Sequence, residues 1–127
     1  NSNQEDIDFI IAFKQKEQYM LILIEAKAET SWTNSQMDSK VKRLKKIFGE
    51  ACDNFRNLQL HFILMSPKES DKLSVGKWPD WMRNNNRANW MKLETEKSLL
   101  KITRCKQNGD PSKDAEFYKI EEITHVY

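Results

Sequence analysis

Three glycines, three prolines and two cysteines among 127 residues remove several chemistries at the outset. The glycines (Gly49, Gly76 and Gly109) are isolated, so there is no glycine-rich loop to cradle a phosphate. Cys52 and Cys105 lie far apart with no metal-ligand spacing, which fits a reduced intracellular protein about as well as a single disulfide, the first being the reading adopted. His61 and His125 have no partners at zinc-ligand or nucleophilic-triad spacing and read as structural. The longest unbroken apolar run, Met20–Ile24, is far short of the ~18 residues a membrane span needs. Neither charge dominates: the net charge is +2, so any pull toward nucleic acid has to come from a local patch. No signal-peptide pattern opens the sequence, and the expected location is the cytoplasm. The chain starts on Asn-Ser-Asn-Gln rather than methionine, which reads as a processed chain or a fragment of a longer one.

What is present suits a folded domain: 39% hydrophobic residues and thirteen aromatics. Length and the lack of repeats, low-complexity tracts or linkers predict one domain over residues 1–127. Ile7–Phe13 and Tyr19–Lys27 are β-rich apolar runs joined by a polar connection, and so predict a β-hairpin. Met37, Val41, Leu44 and Phe48 fall on one helical stripe. Thr33 with Gln36 forms a capping-box pattern before it, and Gly49 supplies the stop. Residues 58–67 predict a third strand. Between Lys68 and Asn89 the chain is polar and turn-rich, with Trp78, Trp81 and Met82 expected to tuck a short helix onto the core. Leu99–Cys105 and Phe117–Ile123 predict a terminal hairpin around the Asn108-Gly109 turn signal. The fold class is therefore mixed α/β or α+β: one small central sheet flanked by helices, with a C-terminal β-hairpin.

The second run ends on Glu25-Ala26-Lys27, two full charges where a core strand would stay neutral. Glu25 and Lys27 share a face with Leu21 and Leu23. If the hairpin turns about Lys16–Glu17, Asp8 lies opposite Glu25, with the two Cβ atoms about 4.5–5.5 Å apart. Two carboxylates that close repel unless a cation sits between them, and a hard ion with oxygen ligands such as Mg²⁺ answers that need. Lys27, about 6.5–7 Å further along, could neutralise an anionic substrate or hold an attacking water. Acid, acid and amine around a metal are the parts required for phosphodiester hydrolysis. A salt bridge at the sheet margin, with Lys27 solvated, is the simpler alternative.

These residues carry a resemblance. "EDIDFIIAF" followed by "LILIEAK", an amphipathic helix and a further strand resembles the PD-(D/E)XK nuclease superfamily over residues 5 to 65, half the chain. The resemblance implies a restriction-endonuclease-like core and a metal-dependent nuclease, with Asp8, Glu25 and Lys27 as the catalytic set. Asp8, Glu25 and the carbonyl of Ala26 would be its metal ligands, Mg²⁺ its cofactor with Mn²⁺ able to substitute, and DNA its preferred nucleic-acid substrate. In the superfamily a Gln on the following helix can lie near the site, and Gln36 matches that position. The helix and strand that usually precede the Asp strand are absent, and the strand opens Asp-Ile-Asp without the superfamily's proline.

Other candidates carry less. Asp6 shares a face with Asp8 and could replace it as a ligand, or be solvated. Gln36 serves equally as cap or substrate contact. Lys40 and Arg43, with neighbouring lysines, offer a phosphate track or simply a solvated helix face. Glu29 reads as exposed, Arg83 and Arg87 as polar surface. Trp78, Trp81 and Trp90 read as packing rather than base-stacking platforms. No membrane partner is expected, and a homodimer is compatible with the sequence. The competing functional class is a non-catalytic nucleic-acid- or protein-binding module that keeps the fold.

Overall fold

A computed structural model describes residues 6–28, 30–94 and 98–124. Glu29 and His125 lie outside the described residues. Two compact units are present, Asn1–Glu94 and Thr95–Tyr127.

The first unit begins with the predicted hairpin. Strands β1 (Phe9–Gln15) and β2 (Gln18–Ala26) pair antiparallel from Phe9↔Ile24 to Gln15↔Gln18. The strands run closer to the turn than the apolar residues suggested, because Lys14 and Gln15 also join the ladder. Only Lys16 and Glu17 remain to reverse the chain, and Lys16 does so with φ at 56°, in the left-handed region. Helix α1 (Asn34–Phe48) then carries the chain across to β3 (Leu58–Ser66), which lies parallel to β2 with Glu25↔Leu64 in register. Parallel neighbours require such a crossover. Thr33 caps the helix: its hydroxyl accepts from the Gln36 N–H, while the Gln36 side chain accepts from the Thr33 N–H. Gly49 closes the helix at φ 87°, with its N–H donated to the Lys45 carbonyl.

Beyond β3 the chain is irregular, apart from a 3₁₀ turn (Asp80–Met82) and a two-rung ribbon of β4 (Arg83–Asn84) and β5 (Arg87–Ala88). It then adds β6 (Trp90–Lys92) parallel to β3. This short strand carries no alternation long enough to be legible in the sequence. The sheet order is β1-β2-β3-β6.

One face of this sheet is covered. Leu60, Phe62 and Leu64 of β3 and Leu23 of β2 form a buried cluster with Met37, Val41, Leu44 and Phe48 of the helix. Trp78 and Met82 join it, as the sequence predicted, and so do Trp32 and Val75. Among the described residues one α-helix packs here, where the sequence predicted flanking helices. β1 differs from its neighbours. All seven of its residues are exposed, among them Phe9, Ile10, Ile11 and Phe13, and no described strand pairs with its outer edge.

The second unit is a hairpin of β7 (Ser98–Cys105) and β8 (Phe117–Thr124). Its connection is ordered by backbone bonds from Gly109 to Lys106 and from Lys106 to Asp110, with Gly109 at φ 88°. Cys52 and Cys105 are both free. No helix among the described residues is long and apolar enough to cross a membrane.

Candidate active site

The register of the hairpin explains why a strand built for a core ends on charge. Residue numbers of paired positions in β1 and β2 sum to a constant, so Asp8, one residue before β1, falls opposite Glu25. Its carboxylate is fixed there: Oδ2 accepts the backbone N–H of Ala26 at 2.8 Å. This bond uses one carboxylate oxygen to complete the end of the ladder.

Glu25 continues the row of Leu21 and Leu23 on the helix-covered face and is 8% exposed. Burial pushes its carboxyl above the ordinary glutamate range. The bond and charge of Lys40 pull it back, the charge of Asp8 raises it, and Lys27 lowers it. Lys40 reaches from the second turn of α1 to bond Glu25 Oε1, and its ammonium also donates to the Asp6 carbonyl at 2.9 Å. Asp6 therefore contributes through its backbone, while its side chain is exposed. The sequence offers Lys40 as part of a phosphate track or of a solvated helix face; in the fold its side chain is only 12% exposed, with the charge turned onto Glu25.

Lys27 follows the last residue of β2, and its N–H extends the parallel ladder to the Met65 carbonyl at 2.9 Å. Its ammonium donates to the Ser31 carbonyl at 3.2 Å and to Gln36 Oε1 at 3.3 Å, and lies 5.7 Å from the centre of the Trp32 ring. The two expectations for Gln36 meet in one atom, since its Oε1 accepts both the capping N–H of Thr33 and the ammonium of Lys27. Arg43 lies on the exposed side of α1.

Two residues of this region escaped the sequence reading. Trp32 is buried beneath Lys27, and its indole N–H has no hydrogen-bond partner among the described residues. A tryptophan in a loop gives no periodic signal. Ser66, at the end of β3, is a buried polar residue whose hydroxyl donates to the Lys68 carbonyl and accepts the Trp90 indole N–H. Both of its bonds are structural, which also makes Trp90 a sheet-edge residue rather than a free stacking platform. Arg83 is held by Asp80 at 2.9 Å, and Arg87 lies 4.0 Å from Glu69.

Asp8 lies near enough to Glu25 for its charge to raise the Glu25 carboxyl, and the oxygens this end of the hairpin offers, two carboxylates and the Ala26 carbonyl, are hard donors. Such a set suits Mg²⁺ or Mn²⁺. Among the described residues no group of three or more His, Cys, Asp or Glu side chains converges, so this pair carries the fit alone. A cation already stands at Glu25 in the form of the Lys40 ammonium, and a divalent ion would compete with it. No family model, curated protein or solved structure matches this chain.

Proposed function

We propose that the chain is a divalent-metal-dependent nuclease of the PD-(D/E)XK type, acting in the cytoplasm and most readily on DNA. The observation that carries this reading is the placement of Asp8 opposite Glu25, fixed by the Ala26 N–H, with Lys27 next on the same row. The order of strand, strand, helix and parallel strand agrees with the resemblance seen in the sequence.

In this mechanism the carboxylates of Asp8 and Glu25 and the Ala26 carbonyl would hold the metal. When bound, Mg²⁺ supplies Lewis acidity, making water more acidic and stabilising charge on the phosphate oxygens. The chain does the rest. Lys27, anchored by Ser31 and Gln36, holds its ammonium where it orients the attacking water or balances charge as phosphorus becomes five-coordinate. Lys40, bonded to Glu25 in the metal-free chain, would exchange that partner for substrate phosphate when the site holds its ion. The exposed side of α1, including Lys42, Arg43 and Lys46, positions the nucleic-acid backbone.

One observation favours a second reading. Asp8 and Glu25 are matched by Lys27 and Lys40, so the four charges already balance without a metal. That arrangement would serve a non-catalytic module binding nucleic acid or protein.

Incubation of the protein with plasmid and with single-stranded DNA, in Mg²⁺, Mn²⁺ or EDTA, separates the two. Cleavage that needs metal and falls by about a hundredfold or more in Glu25→Gln and in Lys27→Ala supports the nuclease. Binding without cleavage in any metal supports the module, and cleavage that persists in EDTA rules out the proposed chemistry.

A further inference from the structure

An apolar strand with both faces exposed and one edge unpaired is a liability that folded proteins usually blunt with proline, inward-pointing charge, a bulge or a cover. β1 carries one lysine, Lys14, near its end, and among the described residues it has no proline, no bulge and no cover. It is seven residues long, regularly paired with β2 on one side, and open on the other among the described residues. Phe9 is 55% exposed, Ile10 61%, Ile11 47% and Phe13 45%.

We infer that the outer edge of β1 pairs antiparallel with β1 of a second copy of this chain, about a two-fold axis at Ile11. The sequence around the strand is self-complementary in charge. Asp6 and Asp8 precede it, Lys14 is its penultimate residue and Lys16 follows it. A two-fold axis pairs each residue with one of the same parity, because residues facing each other across an antiparallel ladder point their N–H groups alike. Only every second register is therefore open.

Centring on Ile11 sets Asp8 against Lys14 and Asp6 against Lys16 of the other copy, with Phe9 against Phe13 and Ile11 against itself. Centring on Ile10 keeps Asp6 against Lys14 but leaves Asp8 against Ala12 and Ile7 against Phe13. Centring on Ala12 keeps Asp8 against Lys16 but sets Ile10 against Lys14 and Phe9 against Gln15. One register thus satisfies every charge and gathers the aromatic residues, and the others satisfy neither condition fully. In that register the odd-numbered residues make an apolar patch on the uncovered face. The charged pairs lie on the helix side at the two ends. The two four-stranded sheets become one of eight strands, and a closed two-fold pairing uses up the open edge rather than propagating into a fibre.

Sedimentation equilibrium of the full chain, from micromolar to near-millimolar concentration, tests this. A monomer–dimer equilibrium is expected. Ile11→Lys places two ammonium groups at the axis and weakens the dimer by about tenfold or more. Lys14→Glu weakens it as well, while the circular dichroism of both variants matches the wild type. On mild oxidation Ile11→Cys cross-links to a disulfide dimer, since directly opposed Cα atoms about 4.5–5.5 Å apart suit that bond. Ile10→Cys and Ala12→Cys do not. A chain that stays monomeric leaves the edge to some other strand and overturns the inference. So does a dimer indifferent to Ile11→Lys, faster cross-linking at position 10 or 12, or a ladder of higher oligomers.

Discussion

Lys40 of helix α1 bonds the carboxylate of Glu25 at the end of β2, with side chains only 12% and 11% exposed. The pair joins the helix to the sheet at the point where the hydrophobic row runs out. Below it Leu21 and Leu23 face α1, and beyond it Lys27 and Gln36 meet at the helix N-terminus. Glu25 is tolerated on a core face because a lysine one helical turn past Gln36 supplies the counter-charge from above. The same bond makes the site ambivalent, since the lysine that steadies the acid occupies the place a metal would claim.

Removing that lysine tests both roles. Lys40→Met keeps the stem and deletes the charge, leaving Glu25 buried beside Asp8 with Lys27 as its remaining cation. Stability at neutral pH is expected to fall by about 2 kcal/mol in urea denaturation. Divalent-ion affinity, read by calorimetry, is expected to rise as the competitor disappears.

Glu25 also imposes a pH dependence on stability. Its carboxyl is raised in the folded chain, so the folded state holds the proton more tightly than the unfolded state. The stabilisation from that proton is complete below the ordinary glutamate value of 4.5 and is lost as pH rises through the higher folded value. The urea midpoint of the wild type should therefore decline across that window relative to Glu25→Gln. The two should run parallel at higher pH.

Helix α1 rests on its ends. Thr33→Ala removes the hydroxyl that accepts the Gln36 N–H and should cost about 1 kcal/mol. Gly49→Ala should cost at least about 1 kcal/mol, because φ is 87° and a Cβ there would collide with the Asp53 carboxylate. Thermal denaturation followed at 222 nm checks both.

The covered and uncovered parts of the sheet should respond very differently to truncation. Phe62 is wholly buried at the centre of β3, and Phe62→Ala should cost about 3–5 kcal/mol. Ile10→Ala on the open edge should cost well under about 1 kcal/mol when measured on the monomer at low concentration.

Much of this architecture is legible in the sequence because the signals are periodic or punctuated. The stripe of Met37, Val41, Leu44 and Phe48 is the buried face of α1, and Thr33, Gln36 and Gly49 mark its ends. The turn at Lys16–Glu17 sets the hairpin register, and the register alone places Asp8 opposite Glu25. Long-range relationships were not legible. Nothing local to Lys40 distinguishes it from Lys42 or Lys45, and only the docking of α1 turns one of them onto Glu25. β6 is three residues long, too short for alternation to register. The full exposure of β1 is equally silent, since an apolar strand reads alike whether or not a neighbour covers it.

The central claim is that Asp8 and Glu25 together hold a divalent cation. Crystals soaked in Mn²⁺, with data collected to reveal anomalous scattering, test it directly. The account predicts a peak between the two carboxylates with Lys40 swung away from Glu25, and its loss in Asp8→Asn. A well-ordered site that shows no peak, with Lys40 still bonded to Glu25 at saturating Mn²⁺, would contradict it.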